Sequence, residues 1–107
     1  MSIDLEALTK GKVHNLSGHE RGLAARALFS LDELDVASEP IEIHVPDYVY
    51  GISPSFVQGF LSSSLQSFDS NKSAFLDHYK VIASDLIKRQ FDRGVSAILT
   101  DREFPAI

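Results

Sequence analysis

Two serines bracket a proline in Ile52-Ser53-Pro54-Ser55-Phe56, directly after the stretch Asp47-Tyr48-Val49-Tyr50-Gly51. A strand running into a short turn and then a helix would leave both hydroxyls at the helix N-terminus. Free backbone N–H groups and the helix dipole there stabilise added negative charge, so Ser53 and Ser55 are candidate phosphorylation sites. The same residues read equally well as a plain cap, with proline at the first helical position where its missing N–H costs nothing. A second charged feature is His19-Glu20-Arg21, also at a helix start, where Arg21 could anchor an anion or a partner near unpaired N–H groups. Capping by Glu20 and simple solvation of Arg21 account for it as well.

Other chemistry finds little support. His14, His19, His44 and His78 are the acid–base candidates, but none lies in a metal-binding spacing. No glycine-rich phosphate loop occurs, since neither GxGxxG nor GxxxxGK[ST] is present. Asp32, Glu33 and Asp35 cluster near the end of a helix, a place the dipole disfavours, and read as a weak cation site, a partner surface or a solvated acidic turn. The absence of cysteine removes disulfides, thiolate nucleophiles and zinc knuckles. No cofactor is called for.

These residues need elements to hold them. Ser17-Gly18-His19-Glu20 matches a capping box, and Leu23, Ala27, Leu31 and Leu34 follow as the stripe of one amphipathic helix. After Ser53-Pro54 comes a broad apolar face of Phe56, Val57, Phe60, Leu61, Leu65 and Phe68. A third helix begins at Ser84 or Asp85, with Ile87, Phe91, Val95, Ile98 and Leu99 on one side, and continues past Gly94. Asp85–Arg89 and Lys88–Asp92 are opposite-charge pairs on its other side. Asp69–Ser73 reads as a loop.

Ile41–Val45 alternates like a strand with His44 facing away from the apolar side, and Tyr79–Ala83 is a shorter run of that kind. Ile3–Leu8 and Lys12–Leu16, flanking Thr9-Lys10-Gly11, suggest a hairpin. The expected order is β-β-α-β-α-β-α: a small α/β sandwich with a mixed, mostly parallel four-stranded sheet and three helices. Length and composition allow one domain over residues 1–107.

Net charge −5 and a pI near 5.2 disfavour a nucleic-acid or anionic-lipid footprint. No apolar run reaches membrane-spanning length, and MSIDLEALTKGK lacks a secretory apolar core, so a cytoplasmic protein is expected.

The stretch from Lys12 to about Leu99 resembles the STAS-like family of bacterial domains of unknown function, relatives of the anti-sigma factor antagonists. Three segments carry the likeness: KVHNLSGHERGLAARAL, IEIHVPDYVYGISPSFVQGFL and YKVIASDLIKRQFDRGV. The resemblance implies a non-enzymatic regulatory module that binds another protein. In that family a serine at the start of the corresponding helix is phosphorylated by a histidine-kinase-like ATPase, which switches partner binding. Here the Asp-Ser-Ser-Gly signature is absent, and Pro54 falls on the acceptor position with Ser53 and Ser55 on either side.

The expected partner surface is the turn 50–56 with the exposed side of the following helix, including Tyr50, Ser53, Ser55 and Gly59. Gly59 within a helix costs about 1 kcal/mol relative to alanine, which either a close partner contact or internal packing would explain. The rival reading is a small enzyme or ligand-binding domain with a pocket formed by Arg21, His19 and Ser53 at the strand ends. A homodimer through an exposed helix face or the edge strand is a further expectation.

Overall fold

The computed structural model describes residues 1–103, with side chains described through Thr100; residues 104–107 of the expected domain lie outside the described residues. The elements in chain order are β1 (Ser2–Asp4), α1 (Glu6–Thr9), β2 (Asn15–Leu16), α2 (His19–Leu28), α3 (Leu31–Leu34), β3 (Ile41–His44), β4 (Gly51–Ile52), α4 (Pro54–Ser67), α5 (Lys72–His78), β5 (Tyr79–Ile82) and α6 (Asp85–Glu103). The strands form two small sheets, β1-β3-β5 and β2-β4. All three pairings are parallel, with Ile3 opposite Ile43, Ile43 opposite Val81, and Leu16 opposite Ile52. The chain is thus a compact α/β domain with parallel strands.

The N-terminal hairpin does not form. Residues Glu6–Thr9 make one helical turn instead, begun where the Asp4 carboxylate accepts from the Glu6 N–H at 2.9 Å. Lys10 and Gly11 then take left-handed conformations that end this turn, rather than reversing a strand. Burial fits the helical turn: Leu5 and Thr9, four residues apart, are buried while Ala7 between them is exposed, which breaks the period-two pattern of a strand. β1 and β2 therefore never meet. Each pairs in parallel with a later strand, and the single mixed sheet is replaced by two parallel ones.

The helical regions also differ in detail. The first expected helix breaks at Ser30, which sits at φ 53°, so α2 and α3 are separate. The Asp69–Ser73 loop is shorter than expected, because Asn71 caps α5 by accepting from the Ala74 N–H at 3.1 Å. By contrast α4 follows the sequence closely: Ser53 is its cap, Pro54 its first residue, and Phe56, Val57, Phe60, Leu61 and Leu65 are buried. α6 likewise runs through Gly94 and buries Ile87, Phe91, Val95 and Ile98. Its two expected surface pairs are not made; Asp92 bonds Lys72 instead, at 2.9 Å.

The larger surprise is the orientation of α2. Its buried residues are Gly22, Ala25 and Arg26, while Leu23 and Leu28 are 47% and 56% exposed. The first half of the expected stripe, Leu23 and Ala27, thus faces outward, whereas its second half, Leu31 and Leu34 of α3, packs on the core. The reason is a close crossing of α2 over α4. A Cβ on Gly22 would lie 2.3 Å from the Phe56 carbonyl oxygen, and one on Gly59 would lie 2.2 Å from the His19 carbonyl oxygen. Only glycine lets the two backbones approach this far, and leucine on that face would hold them apart.

The sheet β1-β3-β5 shows its apolar side chains, Ile41, Ile43 and Tyr79, to the common core shared with α4 and α6. Its other face carries Ser2, Asp4, Glu42 and Lys80, all exposed.

Replacing either Gly22 or Gly59 by alanine forces backbone against Cβ and should lower unfolding stability by about 2–3 kcal/mol. Urea unfolding followed by circular dichroism measures it. A midpoint unchanged within error would show that the helices can separate without loss.

Candidate functional site

Ser53 is held from both sides. Its N–H donates to the Leu16 carbonyl at 2.8 Å, which extends the β2-β4 pairing by one residue. Its hydroxyl oxygen accepts from the Phe56 N–H at 3.2 Å, the cap that the Ser-Pro spacing predicts. Ser53 is half-buried, whereas Ser55 is exposed. The two hydroxyls lie 3.0 Å apart.

Ser55 also reaches the neighbouring helix. Its Oγ accepts from the Gly18 N–H at 3.3 Å, and Gly18 is the cap of α2. The Ser17 capping box does not form, because Gly18 sits at φ 96°, a conformation L side chains rarely adopt, and no side chain caps α2. Ser55 takes the N–H of the cap residue itself from across the helix pair, and the first-turn N–H groups of α2 keep no side-chain cap. The starts of α2 and α4 therefore lie side by side, joined through one serine hydroxyl.

The turn before Ser53 is clamped by Tyr48. Its hydroxyl contacts Thr9 Oγ1 at 2.5 Å, accepts from the Gly11 N–H at 2.8 Å and bonds the Glu6 carboxylate. Next along the turn, the Tyr50 N–H donates to the His14 carbonyl at 2.9 Å, and the two rings stack with centroids 5.9 Å apart. Tyr50 remains exposed at 59%, on the same strand-to-helix connection as Ser53 and Ser55. At the base of this turn the Ile52 N–H donates to Gln90 Oε1 at 2.7 Å, tying β4 to α6.

The remaining candidates do not join this group. Gly59 is buried beneath α2, so its tolerance has the packing explanation, and it offers no surface to a partner. Arg21 is exposed at the rim of a hollow of about 300 Å³ walled by Leu8, Val13, Leu16, Ala24 and Phe56. Neither His19 nor Ser53 walls that hollow, so the three residues of the ligand-pocket reading do not converge there. His44 pairs with Glu42 at 3.0 Å on the polar face of the sheet. Among the described residues no group of three histidines or carboxylates could hold a metal ion. Among them too, no helix is long and apolar enough to cross a membrane.

Sequence reasoning missed the buried polar cluster behind the site. Arg26 donates through Nη1 to the Phe60 carbonyl at 3.1 Å and to Ser64 Oγ at 2.7 Å. Through Nη2 it donates to Asp32 at 2.7 Å and to Asp35 at 2.6 Å. Asp35, only 5% exposed, also accepts from the Ser64 hydroxyl at 2.6 Å and the Tyr79 hydroxyl at 2.5 Å. The acidic turn is thus split: Asp32 is 89% exposed and solvated, and Asp35 is an interior anchor. The one signal available was phase, since Arg26 follows Gly22 by four residues and shares its face.

Environment sets the charges in this cluster. Burial opposes the Arg26 charge, but hydrogen bonds and attraction from Asp32 and Asp35 outweigh it and hold the guanidinium above its ordinary value. Burial, then the hydrogen bond to Asp35, pushes the Tyr79 phenol well above its usual range. Every buried side-chain polar atom among the described residues finds a partner.

Comparison with protein-family models, with curated proteins and with solved structures finds no match.

Three outcomes follow from this geometry. Ser53→Ala should destabilise the fold by about 1 kcal/mol through loss of the cap, more than Ser55→Ala does, as read by chemical denaturation. Arg26→Leu leaves the Asp35 carboxylate buried without its cation and should cost about 3–5 kcal/mol, whereas Arg26→Leu/Asp35→Leu should lose much less; additive losses would contradict the coupling.

The third concerns alkaline pH. Tyr79 keeps its proton in the folded state past the unfolded value of about 10, so its contribution is fully present below pH 10 and declines as pH rises beyond it. Tyr79→Phe should flatten that decline in urea midpoints measured from pH 9 to 11. An identical slope in the variant would assign the alkaline loss elsewhere.

Proposed function

We propose that this chain is a STAS-like regulatory module that binds a partner protein in bacterial signalling, acts without catalysis, and works in the cytoplasm. Phosphorylation near the 53–55 turn by a histidine-kinase-like ATPase is the control, and Ser55 is the preferred acceptor. The observation that carries the reading is the exposed Ser55 hydroxyl bridging two adjacent helix starts. Ser53 is the poorer acceptor because its oxygen is committed to its own helix cap.

A phosphate at Ser55 would stand among the free N–H groups of α2 and α4, where a dianion is stabilised by both dipoles. It would also add charge at the end of the outward apolar face of α2, formed by Leu23, Ala24, Ala27 and Leu28. An apolar partner docked on that side would have to strip water from the new charge, and that cost is the switch. Tyr50 lies on the same turn and supplies an exposed aromatic contact.

The test is incubation with an ATPase-kinase of that fold, followed by phosphosite mapping by mass spectrometry. Modification at Ser55 is expected, with Ser55→Asp weakening partner capture about tenfold and Ser55→Ala leaving it within about twofold. Absence of phosphate at both serines under turnover, together with equal capture by Ser55→Asp, would remove the proposal.

A further inference from the structure

A cleft of about 260 Å³ opens between the α5–β5 segment and α6, lined by no residue of the 50–56 turn. Its walls are apolar, with Leu61, Phe75, Val81, Phe91 and Val95 lining it and the half-exposed Leu76 beside them. The charged residues that line it are Lys80, Lys88 and Asp92. They are not equivalent. Asp92 is bonded to Lys72 at 2.9 Å, so its charge is already matched.

Lys88 makes no ion pair with a described residue, and Asp92, its i,i+4 carboxylate, bonds Lys72. Lys80 makes no ion pair with a described residue either: Glu42, its cross-strand neighbour, bonds His44, and the Lys80 ammonium reaches the Leu76 carbonyl at the cleft, at 3.4 Å. Two cations without an ion pair among the described residues, beside an apolar cleft, stand out on a chain of net charge −5. Such lysines lay their stems along apolar surface and keep the charged ends in water.

We infer that this cleft binds a free medium-chain carboxylate, its hydrocarbon chain along Leu76 and Val81 over the floor formed by Leu61 and Val95, and its head group drawn to Lys80 and Lys88. Apolar walls supply the burial, and a few polar groups fix the orientation, as in most small-ligand sites. The volume lies just under that of drug-sized pockets, about 300 Å³ and upward, which suits one short chain and excludes a two-chain lipid. The inference is independent of the regulatory reading, since no residue of the 50–56 turn lines the cleft.

The probe is sodium decanoate, titrated below its aggregation concentration into the full chain and followed by methyl and amide NMR, with decanol and acetate as controls. Saturable shifts confined to Leu61, Leu76, Val81 and Val95 are expected with decanoate, and none with acetate. In Lys80→Glu/Lys88→Glu the decanoate affinity should fall at least about tenfold while any decanol affinity changes by less than about twofold. Val81→Phe, which fills the cleft and leaves both lysines, should also abolish decanoate binding while keeping the native circular dichroism spectrum. Non-saturating or dispersed shifts would overturn the inference. So would decanoate affinity indifferent to charge reversal, or undiminished binding to folded Val81→Phe.

Discussion

Gly22 of α2 and Gly59 of α4 let two helix backbones pass so closely that a single methyl on either would strike a carbonyl oxygen of the other. Most of the remaining architecture follows from that approach. It draws the first turns of both helices together, so that Ser55 can take the Gly18 N–H that no α2 side chain satisfies. It brings Arg26, one turn beyond Gly22, under α4 to the Phe60 carbonyl and Ser64. It also turns Leu23 and Leu28 outward, because a face that must admit a neighbouring backbone has no room for leucine.

A guanidinium placed in that interior has to be matched. Asp35 does so, and it simultaneously accepts from Ser64 and Tyr79, so one carboxylate joins the α3 end, α4 and β5. Such a cluster gives less net stability than an apolar core of equal volume, yet it is severe toward incorrect packing, because any misplaced member leaves a buried charge. The helix pair is therefore both close and fixed in register. That fixity is what allows two short hydroxyl side chains to define a constant surface between the helix starts.

Parts of this were open to reading from residue order. The cap Ser53-Pro54 and the apolar face of α4 were legible because capping and helical phase depend on neighbours within four residues. The alternation of Ile41–His44 and the run of α6 past Gly94 were legible for the same reason. The N-terminal hairpin does not form. Residue order could not show this, because Thr9-Lys10-Gly11 suits a helix end as well as a strand turn, and only the exposure of Ala7 between buried Leu5 and Thr9 distinguishes them. α5 was overlooked because its seven residues carry one buried side chain, too few to show a period.

Taken alone, the sequence determined the composition of the molecule and its local elements: one acidic α/β chain without cysteine, its main helices, and two serines at a helix start. It could not determine which face of α2 turns inward, since leucine and alanine advertise one side while glycine permits the other. Nor could it separate Asp35 from Asp32, three residues apart and chemically identical, one interior and one in solvent. Tertiary structure decided both, because helix crossing and burial are set by residues more than thirty positions away, as Gly22 is from Gly59 and Arg26 from Ser64. Local chemistry names the groups; long-range packing decides which of them can act.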